Sequence, residues 1–403
     1  MPDAIVAIPV RNEEERIAAC LRAIDAQVDL EPGRLGLVLF LNNCTDRTEQ
    51  IVAATASTLS IPVRVLTESF AGAHAGWARR RAMNAAADWL EDTGGGGIIL
   101  STDADSRVPP DWVARNWAAI RAGADAVAGH VELDETEAAL LPPSLPARGR
   151  LEDCYDALIT EAEARIDPDP HDPWPCHRTA IGATLAVTCS AYHAVGGMPE
   201  IPLGEDGAFI ARLIEHGLRV RHATDVCVTI SARLAGRAPG GVADTIRARC
   251  EEPDALCDAR MESFVRAVRR YVWRRRFRRQ HGSGRLARDQ AWARQLGIAP
   301  AEASRIAALP LGQAVAEAER ASPRLAYHPI GPRQLPREIR VARAGIALIR
   351  LYSVLANALH GSRQPCRSVT SSTWNGGARD RAGYHRVRAG PGATVRSADG
   401  MHG

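Results

Sequence analysis

The chain has 403 residues, of which 46% are hydrophobic and 24% charged, and its formal net charge is +3 at pH 7. This composition is typical of a soluble globular protein with room for a full catalytic domain and an appended region, and the small net charge gives no global electrostatic case for nucleic acid. All 50 basic residues are arginine, which excludes mechanisms that need a lysine amine, such as Schiff bases and phosphate-loop lysines.

Strand and helix patterns alternate over the first 135 residues. The predicted strands are 4–9, 35–42, 61–67, 97–102 and 126–132. The predicted helices between them are 13–27, 46–58, 74–91 and 111–122. Such alternation predicts an α/β fold with a mostly parallel sheet and helices on both of its faces.

Two aspartates follow the fourth predicted strand, Asp103 and Asp105, with Ala104 between them. On an extended backbone both carboxylates leave on the same face, at the carboxyl end of a buried strand, where open α/β sheets bind ligands. Paired acids in such a place repel each other unless a cation or ligand lies between them, and oxygen ligands suit Mg²⁺ or Mn²⁺. A solvated turn is the alternative explanation of the pair.

The chain changes character between residues 141 and 175, where prolines surround a predicted helix near 150–165. We interpret this segment as a lid or an acceptor-facing insertion. A strand-like stretch over 180–189, a helix over 205–216 and a strand over 219–230 are predicted next. Beyond about residue 250 the sequence is helical and rich in arginine, and from residue 361 it predicts a disordered tail.

The nine cysteines are an odd number and form no Cys-x-x-Cys pair. This usage predicts reduced thiols in a cytoplasmic protein rather than a disulfide framework. A strand pattern begins at Ala4 with no signal core before it, and no apolar run reaches the length of a membrane span.

Four motifs in register carry a resemblance to a known family. They are Pro9-Val10-Arg11-Asn12-Glu13 after the first strand, Asn42-Asn43-Cys44-Thr45-Asp46 after the second, Asp103-Ala104-Asp105, and Val195-Gly196-Gly197-Met198-Pro199 followed by Gly204-Glu205-Asp206. Over residues 4–240 the chain resembles the family 2 glycosyltransferases, inverting enzymes of the GT-A fold.

The resemblance implies a GT-A nucleotide-diphospho-sugar transferase domain over residues 1–250. An arginine-rich helical region over 251–360 and the tail over 361–403 would follow it. It also implies metal-dependent transfer of a sugar, with inversion, from a nucleoside diphosphate to an acceptor hydroxyl, with Mn²⁺ or Mg²⁺ stabilising the leaving diphosphate.

Carried over to this sequence, the resemblance assigns Asp105 to the metal and Asp103 to the donor ribose or to support of the ion. It makes Asp206 the base that takes the acceptor proton, with Glu205 positioning the acceptor or the helix. The alternative for Glu205 and Asp206 is a pair of first-turn acids that complement the helix dipole.

The same resemblance gives candidate contacts to donor and acceptor. Arg79 is chosen from the triple Arg79-Arg80-Arg81, of which only one can point into the cleft, and Arg233 and Arg237 suit a diphosphate. For Arg233 and Arg237, the alternative is that they belong to a basic surface loop. For Glu13, the alternative is an acid that complements the helix dipole, and for Thr184 it is a residue that favours a β-strand. The donor candidates are Pro9, Glu13, Asn42, Arg79, Asp103, Arg233 and Arg237, and the acceptor candidates are Gly182 and Thr184.

The nucleobase stays open, because Asn42 and Asn43 stand where many relatives carry an aspartate that accepts from uracil. An amide can accept the same proton but also brings a donor. A UDP-sugar is the favoured donor, with GDP- and dTDP-sugars as alternatives. The hydroxyl acceptor is unidentified.

Aromatic and branched residues interleave with arginines over 264–279. This pattern permits docking at an anionic membrane surface, which would place the protein at the inner face of a membrane, whereas packing on the catalytic domain is the simpler alternative. A second helix, over 339–359, is apolar on one side and predicted to be packed or interfacial.

Three other functions have weaker support. Nucleotidyltransferases of related fold need a glycine-rich basic loop after the first strand, which Pro9 to Glu13 lacks. Phosphatases that use an aspartate nucleophile normally recruit a lysine, and this chain has none. A membrane or nucleic-acid adaptor with an inactive domain would not need acids at positions 103, 105 and 206.

Overall fold

The structure, a computed structural model, describes residues 1–234, 236 and 241–361. The first of the chain's two units spans Met1–Leu355, and every contact discussed below lies within it. The second unit, Ala356–Gly403, includes the predicted tail, and residues 362–403 lie outside the described part of the chain.

Seven strands of the described residues form one sheet. They are β1 (Ala4–Val10), β2 (Leu35–Asn42), β3 (Val63–Glu68), β4 (Ile98–Ser101), β5 (Ala126–Leu133), β6 (Leu185–Thr188) and β7 (Val220–Ile230). Their order across the sheet is β3-β2-β1-β4-β6-β5-β7. Only β6 runs antiparallel to its neighbours, β4 and β5. The predicted α/β fold with a mostly parallel sheet is confirmed.

Helices cover both faces of this sheet and continue after it. The helices around the sheet are α1 (Ile17–Asp25), α2 (Thr48–Ala56), α3 (Ala75–Asp92), α4 (Trp112–Arg121), α5 (Glu135–Ala138), α6 (Ser144–Ile166), α7 (Cys189–Ala194) and α8 (Glu205–Glu215). The later helices are α9 (Val242–Glu251), α10 (Phe264–Gly282), α11 (Arg285–Arg288), α12 (Ala291–Leu296), α13 (Pro300–Ala307), α14 (Leu311–Ala321) and α15 (Leu335–Gly361). Within the described residues, no helix combines the length and the apolar character that crossing a membrane requires.

The central strands are continuous apolar runs because both of their faces are buried. In β1, Ile8 packs on the side of α1 and α4, and Ile5 packs on the side of α3. The pleat alternates the side chains of one strand between these two cores. The edge strand β3 is mostly exposed. Parallel β1, β2 and β4 therefore direct their carboxyl ends to one edge, where the predicted site residues begin.

The later helices build two further cores. Residues of α6, α10 and α15 form one of them, with Tyr155 and Phe264 buried, and the second half of α10 packs with α11 to α14 around Phe277 and Trp292. Helix α10 therefore packs on other helices through one side. For that side only, this confirms that the helix predicted over 264–279 packs on the protein, which is the simpler alternative to docking at a membrane.

Two local predictions need correction. The predicted strand over 180–189 is reduced to Leu185–Thr188, because residues 180–184 form a turn that ends one edge of the site. The helix predicted near 150–165 is longer and spans Ser144–Ile166 as α6, and the interpretation of this segment as a lid or an acceptor-facing insertion stays a prediction. The loop after α6 is fixed through Asp172. That buried carboxylate accepts hydrogen bonds from Arg221 and from the backbone N–H of His222, at 2.9 and 3.0 Å.

Candidate active site

Arg79 is the buried centre of the edge formed by β1, β4 and α8. Its guanidinium donates to Asp103 Oδ1 at 2.7 Å and to Glu205 Oε1 at 3.1 Å, and it also donates to Ser101 Oγ at 2.8 Å. Burial alone would lower the pKa of Arg79, but the charges of Asp103 and Glu205 outweigh it and raise the pKa above its ordinary value. Arg79 thus stays charged and fixes the orientation of both acids.

The other two arginines of the triple on α3 point elsewhere. Arg80 donates to the carbonyl oxygen of Met198 at 2.6 Å, and Arg81 pairs with the exposed Glu68 at 2.7 Å. A helix turns by about 100° per residue, so three consecutive side chains cannot share one face. The structure therefore brings Arg79 to the cleft and leaves Arg80 and Arg81 outside it.

Gly182 joins Arg79 to Asp206. Its N–H donates to Asp206 Oδ2 at 2.9 Å, and its carbonyl oxygen accepts from Arg79 Nη1 at 2.9 Å. A Cβ at position 182 would lie 2.4 Å from the Arg79 guanidinium carbon, so only glycine fits there. Asp206 lies in the first turn of α8, where the helix dipole favours a negative charge.

Asp105 and Glu13 share a second arginine. Arg233 Nη2 lies 3.0 Å from Asp105 Oδ2, and Arg233 Nη1 donates to Glu13 Oε2 at 2.8 Å. Burial, together with the charges of Asp103 and Glu13, raises the pKa of Asp105 to about 6, although Arg233 acts in the opposite direction. The Asp105 carboxylate is thus only partly compensated by the chain itself.

The donor set at this edge fits a divalent cation. Among the described residues, five carboxylates lie at this edge, those of Glu13, Asp103, Asp105, Glu205 and Asp206, and two guanidinium groups, those of Arg79 and Arg233, hold four of them in ion pairs. Carboxylate oxygens are the ligands that Mg²⁺ and Mn²⁺ prefer. Asp105 is a candidate ligand among them, because burial and the neighbouring carboxylates raise its pKa and its Oδ2 already attracts the guanidinium of Arg233.

The turns after β1 and β2 are tied to each other. Asn12 Oδ1 accepts from the N–H of Thr45 at 2.8 Å, and the amide of Asn43 exchanges two hydrogen bonds with the backbone of Phe70. Asn42 is buried at the end of β2, and Pro9 is half-buried near the end of β1. Asn43 therefore holds the turn after β2, and Asn42 is the remaining candidate for recognition of the nucleobase.

Two other predicted residues have different outcomes. Thr184 is 1% exposed, and its hydroxyl accepts from the indole N–H of Trp112 at 3.1 Å, so this hydroxyl faces the interior rather than the cleft. Arg237 lies outside the described residues.

Three residues of this edge were not singled out from the sequence. Ser101 lies between Arg79 and Gly182, and its hydroxyl donates to the Gly182 carbonyl oxygen at 3.1 Å. Thr48 accepts from the N–H of Glu13 at 2.8 Å. Glu137 accepts from Ser231 Oγ and the N–H of Ala232, at 2.6 and 2.8 Å, and so holds the segment that carries Arg233. Ser101 ends β4, Thr48 begins α2 and Glu137 lies in α5, and each acts on a partner that is distant in sequence, which a local pattern does not reveal.

The family model of glycosyl transferase family 2 matches residues 5–169. This match confirms the predicted resemblance and, with it, the enzyme class, a glycosyltransferase. The matched range contains β1 to β5 and therefore Glu13, Arg79, Asp103 and Asp105. Among curated proteins, no sequence matches the chain.

Several solved structures are similar at low identity. A mannosyltransferase from Pyrobaculum calidifontis, PcManGT, in complex with GDP-Man and Mn²⁺, is 18% identical, with a TM-score of 0.41, over 89% of this chain and 80% of that chain. A fragment of TarS from S. aureus, in complex with UDP-GlcNAc, is 15% identical, with a TM-score of 0.43, over 80% and 89%. Glucosyl-3-phosphoglycerate synthase from Mycobacterium tuberculosis, with Mn²⁺, UDP-Glc and phosphoglyceric acid, is 20% identical, with a TM-score of 0.35, over 63% and 81%. Identities and TM-scores this low do not indicate the substrate of this chain.

Proposed function

We propose that this chain, a family 2 glycosyltransferase over residues 5–169, transfers a sugar with inversion from a nucleoside diphosphate to an acceptor hydroxyl, and that it does so with Mn²⁺ or Mg²⁺. One observation carries the proposal. A partly compensated carboxylate, Asp105, shares one sheet edge with Asp206, a second carboxylate held by backbone N–H groups.

Asp105 is the proposed ligand of the cation, supported by Asp103. A bound divalent cation supplies a Lewis acid that stabilises the negative charge of the departing diphosphate. Arg79 holds Oδ1 of Asp103 and leaves Oδ2 for the donor ribose or the ion. Glu205 is proposed as a positioning residue, since its buried carboxylate contacts Arg79 rather than open space.

Asp206 is the proposed base. The N–H groups of Gly182 and Gly207 donate to its two oxygens at 2.9 and 2.7 Å, which orients the carboxylate and leaves further lone pairs to accept a proton. The acceptor oxygen would bond to the anomeric carbon as the bond from that carbon to the diphosphate breaks. The acceptor proton passes to Asp206, and the diphosphate keeps the electron pair.

The donor would lie along the ends of β1 and β2. Pro9, Glu13 and Asn42 line that edge, and Arg233, with Arg237 beyond the described segment, would turn to the diphosphate once a cation compensates Glu13 and Asp105. A UDP-sugar remains the proposed donor, with GDP- and dTDP-sugars as alternatives. Since the eight cysteines of the described residues are free, we also propose a cytoplasmic location.

A panel of nucleotide sugars, each with and without Mn²⁺, tests donor and metal together through the melting temperature. A ligand that binds only the native state raises it. We expect one nucleotide class to give the largest rise and that rise to need the cation. If no nucleotide sugar stabilises the protein, or if pyrophosphate appears from a nucleoside triphosphate and a sugar phosphate, the proposal fails.

Two variants separate the roles of the acids. Asp105→Ala should abolish cation-dependent binding of the donor. Asp206→Asn should keep binding and lose roughly 100- to 10,000-fold in transfer rate, because a general base contributes that much. Asp92→Ala, at an exposed position at the end of α3, is the matched control and should behave as the wild type. Normal transfer by Asp206→Asn would remove that residue from the base role.

A further inference from the structure

A groove of about 710 Å³ lies between α10, α11 and α12, outside the edge described above. Its charged lining is almost entirely arginine. The groove arginines other than Arg270, which lies deeper, are Arg266, Arg269, Arg276, Arg285, Arg288 and Arg324. The acids of the lining are Glu262 and Asp289. A concave surface with charge of one sign concentrates its field and attracts counterions.

The two acids do little to compensate these arginines. Glu262, which is 1% exposed, already pairs with the buried Arg270 at 2.8 Å and with Arg266 at 3.4 Å. Asp289 accepts from the N–H of Ala291 at 2.8 Å. The exposed groove arginines that form no ion pair with a carboxylate of the described residues are Arg269, Arg276, Arg285, Arg288 and Arg324, of which Arg324 donates to the carbonyl oxygen of Gln295.

Apolar side chains interleave with these charges on α10. Val265 and Val272 are 52% and 42% exposed, and Arg269 and Arg276 each follow one of them by four residues. Positions three and four residues apart lie on the same face of a helix. One exposed face of α10 therefore alternates valine with arginine, beside the groove and away from the core that α10 shares with α6 and α15.

We propose that the α10 groove and its valine–arginine face form a docking surface for a membrane that carries anionic phospholipids. Arginines with no carboxylate partner among the described residues match lipid phosphates, and exposed valines next to them match the boundary between headgroups and acyl chains. This inference does not rest on the proposed transferase mechanism.

The aromatic residues of the groove favour a membrane over a single-stranded nucleic acid. Binding of unpaired bases relies on exposed rings on which they stack. Trp292 is 6% exposed, and its ring packs against Phe277 with centroids 5.1 Å apart. Phe277 itself is 1% exposed, and Trp273, the third ring of the lining, is half-buried and packs against Phe277 with centroids 5.2 Å apart. These rings pack on one another rather than present an open stacking platform.

The test is flotation of the purified full chain with vesicles, in the absence of any nucleotide sugar. Vesicles of phosphatidylcholine alone are compared with vesicles that also contain phosphatidylglycerol. We expect binding only to the second kind, and we expect it to weaken as salt rises, because exposed charges are screened. Absence of binding to the anionic vesicles overturns the proposal, as does equal binding to both kinds.

Variants locate the binding on the groove. Each arginine near an anionic surface contributes about fivefold to partitioning, so Arg269→Ala with Arg276→Ala should reduce it roughly 25-fold. Arg285→Ala with Arg288→Ala tests the same groove from a different helix, in case the first pair affects folding. The matched control is Arg22→Ala with Arg150→Ala, two exposed arginines on α1 and α6, which removes the same charge.

A loss of binding equal in the control and the groove variants would show general charge attraction and would overturn the docking surface. The substitution Val265→Ser with Val272→Ser leaves the charge unchanged and tests the apolar contact, and it should reduce vesicle binding at low and at high salt. Transfer to a soluble acceptor should be unchanged in every groove variant. Failure of the transferase proposal would leave the vesicle result intact, so the two proposals fail separately.

Discussion

Arginine has opposite roles in the two regions of this molecule. At the sheet edge, Arg79 and Arg233 are largely buried and each contacts two carboxylates. In the α10 groove, exposed arginines such as Arg269 and Arg276 outnumber the acids around them. The comparison shows that the number of arginines in a region says little about its charge, which depends on how many carboxylates the fold brings to each guanidinium.

Buried and exposed arginines also differ in whether they contribute to the stability of the fold or to the binding of a ligand. An arginine among buried acids is part of the folded framework, because its removal leaves carboxylates uncompensated in a poorly solvated place. An exposed arginine with no partner contributes little to folding and keeps its hydrogen-bond donors for a ligand. Substitutions of arginine in the two regions should therefore have very different effects.

The largest effect is expected at Arg79. Arg79→Ala removes the cation from Glu205 and Asp103, and losing one partner of a buried ion pair costs about 3–5 kcal/mol. We expect the free energy of unfolding in a urea titration to fall by that order. Arg81→Ala, two positions along the same helix in an exposed pair with Glu68, is the matched control and should change it by about 1 kcal/mol or less. Equal losses at the two positions would contradict the comparison.

The next largest effect is expected from the Asp105 carboxylate, whose negative charge is compensated only in part at the sheet edge. The folded protein binds the Asp105 proton more tightly than the unfolded chain, since burial raises its pKa from 3.8 to about 6. Stability without metal should therefore fall as the pH rises from about 4 to about 6. Asp105→Asn removes this dependence and should be more stable than the wild type by roughly 3 kcal/mol above pH 6.

Urea titrations across this pH range in the presence of a chelator measure the effect. Asp92→Asn, at an exposed position, should follow the wild-type curve. Parallel curves for the wild type and Asp105→Asn would show that Arg233 already compensates Asp105 in full, and the site would then lack the charge that attracts a cation.

The smallest effect is expected in the α10 groove. Removing Arg269 and Arg276 relieves repulsion among like charges, so the double alanine variant should gain up to about 0.5 kcal/mol of stability at low ionic strength. High salt should abolish the gain. Thermal or urea unfolding at two salt concentrations measures it. A large loss of stability instead would show that these arginines take part in the fold.

Much of the fold could be predicted from the sequence, because the signals are local. The apolar runs that became β1, β2 and β4 lie within one residue of their predicted bounds. The acids at positions 103 and 105 follow a buried strand, and this placement needs only the strand pattern of the preceding residues. Chain order and the parallel sheet then bring the ends of β1, β2 and β4 to one edge.

The turn before β6 could not be predicted in this way. Residues 180–184 have the composition of a strand, but Gly182 uses its backbone N–H and carbonyl oxygen for Asp206 and Arg79 instead of a strand neighbour. The inward-facing hydroxyl of Thr184 has the same origin, since its partner, Trp112, lies 72 residues away in the chain. Nothing near these residues in sequence reveals such partners.

The sequence by itself determined the order of strands and helices, the positions of the acids at strand ends and the absence of any lysine. These depend on periodicity and identity over a few neighbouring residues. The tertiary structure alone decided which arginine each carboxylate contacts. Arg79 reaches Glu205 across 126 residues and Arg233 reaches Glu13 across 220. Charges act through space, so the pairing of charges is set by how the chain packs. Packing leaves one arginine buried among acids and another exposed, with no carboxylate partner in the part of the chain that the structure describes.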